Sequence, residues 1–453
     1  MQTVAENLGT YASTLRYEDL PAEVVHQAKR LVLDTLGCAF GGYDSEPARI
    51  ARDLAGTVSS TQPATVLCSG QKTSAELAAF ANDVMMRYLD FNDGYISNGS
   101  GHPSDSIGAL LTAAEIARAS GRDLITATVL AYEVFCRICD AWDNKQSGID
   151  HATMGAIASV AGAARLYGLT RERIIEAINL TVAANVALNQ TRVGSISKWK
   201  ACGYANANRN AIFAVQLAAR GMSGPPRVFE GRDGFFKVAS KAPFELAPFG
   251  GDGRPFRIMQ CHVKQFPLGN FSQTVVTAVL EARKMVGDVR DIEEVHVRTS
   301  QSGLNIMADG PEKWRPANRE TADHSIPYTA AVALMYGTVE LKYFEEEYLH
   351  DEALLRLVSR IRCSPSEEAT RRGAEMNLCE LDVTLRSGER KSIRVEYHRG
   401  HWRNPMSDAE MEGKFRSLVG GMLPPDRCNA LIERLWKLED LRETGALVQM
   451  TLI

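Results

Sequence analysis

The stretch 89-LDFNDGYISNGSGHPSDS-106 gathers two carboxylates (Asp90 and Asp93), a histidine (His102) and a further carboxylate (Asp105) into one segment broken by glycines. Carboxylates and imidazoles are the side chains that most readily move protons near neutral pH, the histidine because its ordinary pKa is about 6.5. Apolar helical patterns flank the segment at 76–90 and 107–120, and a loop held between two such elements is where function concentrates. Taken alone, the same residues also suit turns and caps, with His102-Pro103-Ser104 opening the next helix. What else the chain offers decides between the two.

Four further places carry chemistry. In 148-GIDHATMG-155, Asp150-His151 directly precedes a small-residue helix, whose positive N-terminal end favours a neutral imidazole; Asp150 acting only as N-cap is the plainer alternative. In 195-SISKWKACG-203, Lys198 and Lys200 flank Trp199 and suit either a bound carboxylate or plain solvation. Lys264 stands before the Phe266-Pro267 turn of 262-HVKQFPLGNFSQT-274, where the character of the chain changes, and such junctions favour small-molecule clefts. In 319-RETADHSIPYTAA-331, His324 and Tyr328 are one helical turn apart. No G-x-G-x-x-G opens a helix after a strand, and no P-loop, H-E-x-x-H or G-x-S-x-G occurs. Nucleotide cofactors, zincin chemistry and serine hydrolysis are therefore disfavoured.

The elements that must position these groups are mostly helices. A 3.6-residue apolar period covers 22–42 and ends on paired glycines, and the helical signal continues to about 260 through 76–90, 107–120, 123–142, 152–167, 172–190 and 204–221. Beyond 260, the segments 292–301 and 378–400 alternate in strand fashion, the latter with a hairpin turn at Ser387-Gly388-Glu389. Helical patterns return at 325–337, 351–362 and 406–445. The expectation is a mainly α fold: a large all-helical domain made of residues 1–261 and 398–453, interrupted by a smaller α+β lid domain at 262–397.

The charges balance, with 51 basic and 55 acidic residues among 453 and a net charge of −4. This argues against a nucleic-acid partner but leaves room for a small anion held by a few local lysines. No apolar run reaches the ~18 residues of a membrane span, and the N-terminus lacks a signal-peptide layout, so a cytoplasmic protein without membrane contact is expected. Nine scattered cysteines fit reduced thiols. Cys136 and Cys139 form a C-x-x-C inside a helical pattern, where they share one face and read as buried thiols rather than metal ligands.

With LDFND, HPSDS, G-x-DHA, SKWKACG, K-x-FP and DHSIPY in this order, the chain resembles the 2-methylcitrate dehydratase (MmgE/PrpD) family, which also holds cis-aconitate decarboxylase and iminodisuccinate epimerase. The resemblance runs from the LDTLG helix at Leu33 to 405-PMSDAEMEGKF-415. It implies an all-α domain with an inserted lid, a homodimer, and no metal or cofactor. It further implies catalytic roles for Asp90, His102, His151 and Tyr328 and substrate binding by Lys200 and Lys264. The implied reaction is dehydration of a di- or tricarboxylate such as 2-methylcitrate by proton abstraction next to a carboxylate and loss of hydroxide. Decarboxylation, epimerisation and an inactive carboxylate-binding relative are the alternatives. Two departures stand out. Gly94 replaces the threonine of the decarboxylases, and Phe271 replaces a histidine that many dehydratases carry before Ser-Gln. The Asp90-to-His102 spacing is that of the dehydratases.

Overall fold

The Ala22–Gly42 helix buries Val24, Val25, Ala28, Leu31, Val32 and Leu36, the residues whose period predicted it. In the computed structural model, which describes residues 2–373 and 377–453, 56% of the chain is helical, so the protein is mainly α. The Ala152–Leu166 helix packs between Gly121–Ala141 and Gly203–Ala219, and Gly203–Ala219 packs in turn against Ala75–Tyr88. The Ala152–Leu166 helix is built of small residues and is buried along almost its whole length. A Cβ on Gly155 would lie 2.1 Å from the ring of Tyr204, so only glycine lets the two helices meet so closely.

Apolar side chains collect in two main clusters. One draws on residues from Ala5 to Val263 together with Met406 to Val448, and the other on residues from Phe266 to Val383. The second contains the four-stranded sheet, in the order Ile361–Pro365, Ile292–Thr299, Cys379–Leu385, Arg390–Val395. The last two strands form the hairpin expected around Gly388, which sits at φ +85°. The first pair is parallel. That pairing was not foreseen, because the expected helix at 351–362 stops at Val358 and the chain then enters a short strand.

Two other expectations differ from the structure. The helix expected over 172–190 ends at Ala184, where Asn185 turns out of helical geometry and its Nδ2 donates to Thr181 O (2.8 Å). The stretch 222–260 is largely irregular, with one α-helical turn at Phe235–Val238 and a 3-10 turn at Arg257–Gln260.

The two points where the chain passes between the clusters lie side by side, with Val263 N–H donating to Gly400 O (2.9 Å). Three buried histidines meet there. The His262 ring lies 5.4 Å from that of His398 and 6.3 Å from that of His401. Burial lowers His262 to about 3 and His401 to about 4, and holds His398 well below 6.5. Unfolded, each would take up a proton near pH 6.5. The unfolded state therefore gains protons first on acidification, and stability present above pH 6.5 is lost as the pH falls toward 4, at up to about 1.4 kcal/mol per pH unit for each ring. The thermal midpoint is expected to fall steeply from pH 6.5 to 4.5. A midpoint unchanged over that range would show that these rings charge without cost.

Candidate active site

The loop that follows the Ala75–Tyr88 helix is turned inward by Asp90, which adopts φ +50°. Aspartate tolerates this left-handed geometry better than most residues. The turn buries its carboxylate completely and surrounds it with three cations and an imidazole. Arg87 Nη1 lies 3.0 Å from Oδ1, and Lys200 Nζ and His324 Nε2 each lie 3.2 Å from Oδ2. Lys264 Nζ donates to Oδ1 and to the Asp90 carbonyl (2.8 Å). Burial by itself would raise this carboxyl, but Arg87, Lys264, Lys200 and His324 outweigh it and hold Asp90 well below the usual carboxylate range.

A second carboxylate, Asp323, completes the network. Its Oδ1 accepts from Lys200 Nζ (2.5 Å) and lies 2.7 Å from His324 Nδ1. Lys200 Nζ is 2.9 Å from that same nitrogen. When Nδ1 accepts from the ammonium, the ring proton is on Nε2, facing Asp90. Burial, reinforced by Lys200, lowers His324 to about 4. Asp90, Asp323 and His324 converge closely enough to suggest metal ligands, but the Lys200 ammonium already fills the position a cation would take among them.

His102 is fixed by one bond. Its Nδ1 lies 2.6 Å from the Asp93 carbonyl oxygen. A carbonyl can only accept, so Nδ1 carries the proton and Nε2 keeps a free lone pair. Burial, then Arg87 and Lys264, holds this ring well below 6.5 and therefore neutral. His151 faces it edge-on at 5.2 Å between ring centroids. His151 Nδ1 stands 3.6 Å from Asp150 Oδ1 and its Nε2 3.8 Å from Asp105 Oδ2. Its pKa is also lowered, by burial first, with Asp150 and Asp105 opposing. This is the direction expected from the helix end, but burial is the main cause. Asp93, the other carboxylate of the loop, is pushed up to about 7 by burial and accepts from Ser104 N–H (3.1 Å).

Of these groups, Arg87, His102, Asp150, His151 and His324 line a cleft of about 640 Å³, its mouth included, between the two apolar clusters, while Asp90, Lys200, Lys264 and Asp323 are buried beneath it. His102 and His151 stand on one wall, and His324, Asn270 and Phe271 on the other. Lys414, from the 405–415 motif, braces the floor by donating to Phe91 O (2.6 Å) and Lys264 O (3.0 Å) and pairing with Asp34 (2.7 Å). Gly94 hydrogen-bonds through its backbone to His262 in both directions (2.9 Å). A Cβ at Gly94 would stand 2.4 Å from Asn270 Nδ2 and 2.6 Å from His262 Nε2, so a threonine has no room there.

Of the six residues expected at the site, Asp90, His102, His151, Lys200 and Lys264 come together and Tyr328 does not. The Tyr328 side chain lies inside the second apolar cluster against Phe344, and its hydroxyl donates to Tyr343 O (2.6 Å). It lies on the Ile326–Tyr336 helix, whereas His324, just before the Ser325 N-cap, reaches the cleft. The two lysines are present in a different capacity. Lys264 is 0% exposed and both are spent on carboxylates of the chain, so neither is a free clamp for substrate. Burial lowers Lys264 to about 8. Arg87 and Asp323 have no part in the expected site, and His324 enters it only through its spacing to Tyr328. The sequence signal for Arg87 was its position one turn before Asp90, and for the other two it was the DH of DHSIPY.

Two family models match the chain: the MmgE/PrpD N-terminal domain over residues 6–247 and the MmgE/PrpD C-terminal domain over residues 266–438. The chain is 30% identical to 2-methylcitrate dehydratase of Cupriavidus necator, over 92% of this chain and 90% of that one. It is 28% identical to 2-methylcitrate dehydratase of Escherichia coli K12, over 92% and 91%. It is 26% identical to cis-aconitate decarboxylase of Homo sapiens, over 99% and 95%.

Proposed function

Because this chain belongs to the MmgE/PrpD family, we propose that it is a metal-independent hydro-lyase that dehydrates a small hydroxy di- or tricarboxylate such as 2-methylcitrate. The observation that carries this reading is the tautomer of His102. With Nδ1–H donated to Asp93 O and Nε2 unprotonated beside the cleft, the ring is set to remove a proton from the carbon next to a carboxylate. The C–H electron pair becomes the new C=C bond as the C–O bond breaks, and His151 delivers a proton to the departing hydroxide, giving water. The carboxylates of Asp105 and Asp150 beside His151 support its protonated form once substrate is bound. Asp90, Lys200, Lys264 and Asp323 form a charged floor, balanced within itself, that fixes the position of His324 at the cleft.

The test is incubation with 2-methylcitrate, citrate, cis-aconitate and iminodisuccinate. Dehydration is expected to appear as growth of unsaturated-acid absorbance with 2-methylcitrate or citrate. Release of CO₂ from cis-aconitate, or loss of optical rotation with iminodisuccinate, would replace elimination by decarboxylation or epimerisation. No change with any of the four would remove the reading. A homodimer belongs to the same proposal. Exposed Val186, Leu188, Val193 and Trp199 form an apolar segment beside the cleft that a second copy would cover, and the purified protein should run at twice its 49.7 kDa.

A further inference from the structure

With Lys200 and Lys264 neutralised inside the chain, the cleft needs another source of positive charge to hold a polycarboxylate, and two residues outside the recognised motifs supply it. Arg192, 8% exposed, lines the cleft. Its Nε donates to Asp150 Oδ2 (2.9 Å) and its Nη1 to Lys200 O (3.1 Å), while Nη2 is buried with no hydrogen-bond partner among the described residues. A buried guanidinium nitrogen without an acceptor is a costly vacancy that an anion would fill. Lys145 lines the same cleft. Its Nζ donates to Ser100 Oγ and stands 5.3 Å from the Phe271 ring centroid, and no carboxylate of the described residues lies within ion-pair reach of it. Phe271 thus places an aromatic face beside an ammonium where many dehydratases have a histidine.

We propose that Arg192 and Lys145 form the carboxylate anchor of this cleft. They bind one carboxylate of a di- or tricarboxylate substrate and set the preference for polycarboxylates over monocarboxylates. The proposal rests on the reading of the cleft as a carboxylate site given above. Burial lowers Lys145 to about 8, with Asp143 and Asp150 opposing. A bound anion would restore its full charge, so binding should draw in a proton above neutral pH.

The experiment is calorimetric titration of the full chain with propane-1,2,3-tricarboxylate, which carries three carboxylates but no hydroxyl to lose. Lys145→Met is expected to weaken binding roughly 10- to 100-fold, the range of one charge-assisted hydrogen bond, and Lys145→Arg to keep most of it. With the reacting substrate, Lys145→Met should raise KM far more than it lowers kcat. Arg192→Gln should weaken binding as well, but it also disturbs Asp150, so the Lys145 variants decide. Wild-type binding that Lys145→Met leaves unchanged would overturn the anchor while the function stands. A wild-type protein that neither binds the probe nor turns over any of the four substrates would overturn the function and the anchor with it.

Discussion

His102→Asn is expected to lower kcat by roughly 10²- to 10⁴-fold, the range for loss of a general base, while the protein stays folded. Asparagine is the informative replacement because its Nδ2 can take the place of the histidine Nδ1 and keep the donation to Asp93 O, now 2.6 Å long. It has nothing at the position of Nε2. The loop anchor survives and the lone pair does not. The wild-type pH profile should carry the same signature. Burial, Arg87 and Lys264 hold His102 well below 6.5, so the base is already deprotonated at neutral pH. The acid limb of kcat/KM should then lie below pH 6.5 and vanish in the variant. Thermal melting and circular dichroism check the fold, and steady-state kinetics check the rate. Retention of a tenth or more of wild-type kcat in a folded variant would remove His102 from the base role.

What could be read in advance divides by physical cause. Asp90, His102 and His151 were legible because polar, titratable residues interrupted apolar helical patterns, and such interruptions need a reason. The helices were legible for the matching reason, since burying one face imposes a 3.6-residue period. Lys200 and Lys264 were visible as residues but not in their role. Whether a lysine meets a ligand or a carboxylate of its own chain depends on partners far away in sequence, here Asp323 for Lys200 and Asp90 for Lys264. Tyr328, expected from the DHSIPY motif and its spacing to His324, lies away from the cleft. One helical turn from His324 brought it near in sequence, but the helix begins between them, and the helical residue joins the core of the second unit. Arg192 and Lys145 had no sequence signal, because both sit in irregular segments without periodicity. The parallel strand Ile361–Pro365 was hidden by its length, five residues directly after a helix.

The buried floor also explains how so many charges are tolerated in one place. Three cations, Arg87, Lys200 and Lys264, face three carboxylates, Asp90, Asp105 and Asp323, all nearly without solvent. Such an arrangement is weak evidence of stability, because desolvation offsets the attraction. It is strong evidence of positioning, since the charges fix where His324 and the Asp90 turn must lie. Arg87 and Lys200 each keep a second carboxylate, Asp105 at 3.3 Å and Asp323 at 2.5 Å. Among the described residues, Lys264 has Asp90 alone.

That asymmetry gives the largest stability change expected from a single atom replacement. Asp90→Asn should destabilise the protein by about 3–5 kcal/mol, the cost of leaving a buried charge without its partner, and should abolish turnover. Asparagine also tolerates the left-handed backbone, so strain at φ +50° is not released or increased and the effect reports charge. The stranded group is Lys264, whose ammonium burial already lowers to about 8. Removing it as well, in Asp90→Asn/Lys264→Met, should recover much of the lost stability, because the uncompensated charge goes with it. Activity should not return, since Lys200 and His324 still lack the carboxylate that orients them. Denaturant unfolding of the two single variants and the double variant gives the coupling energy directly. If the double variant were as unstable as the sum of the singles, the two groups would not be coupled, and the floor would have to be described as separate pairs rather than one network centred on Asp90.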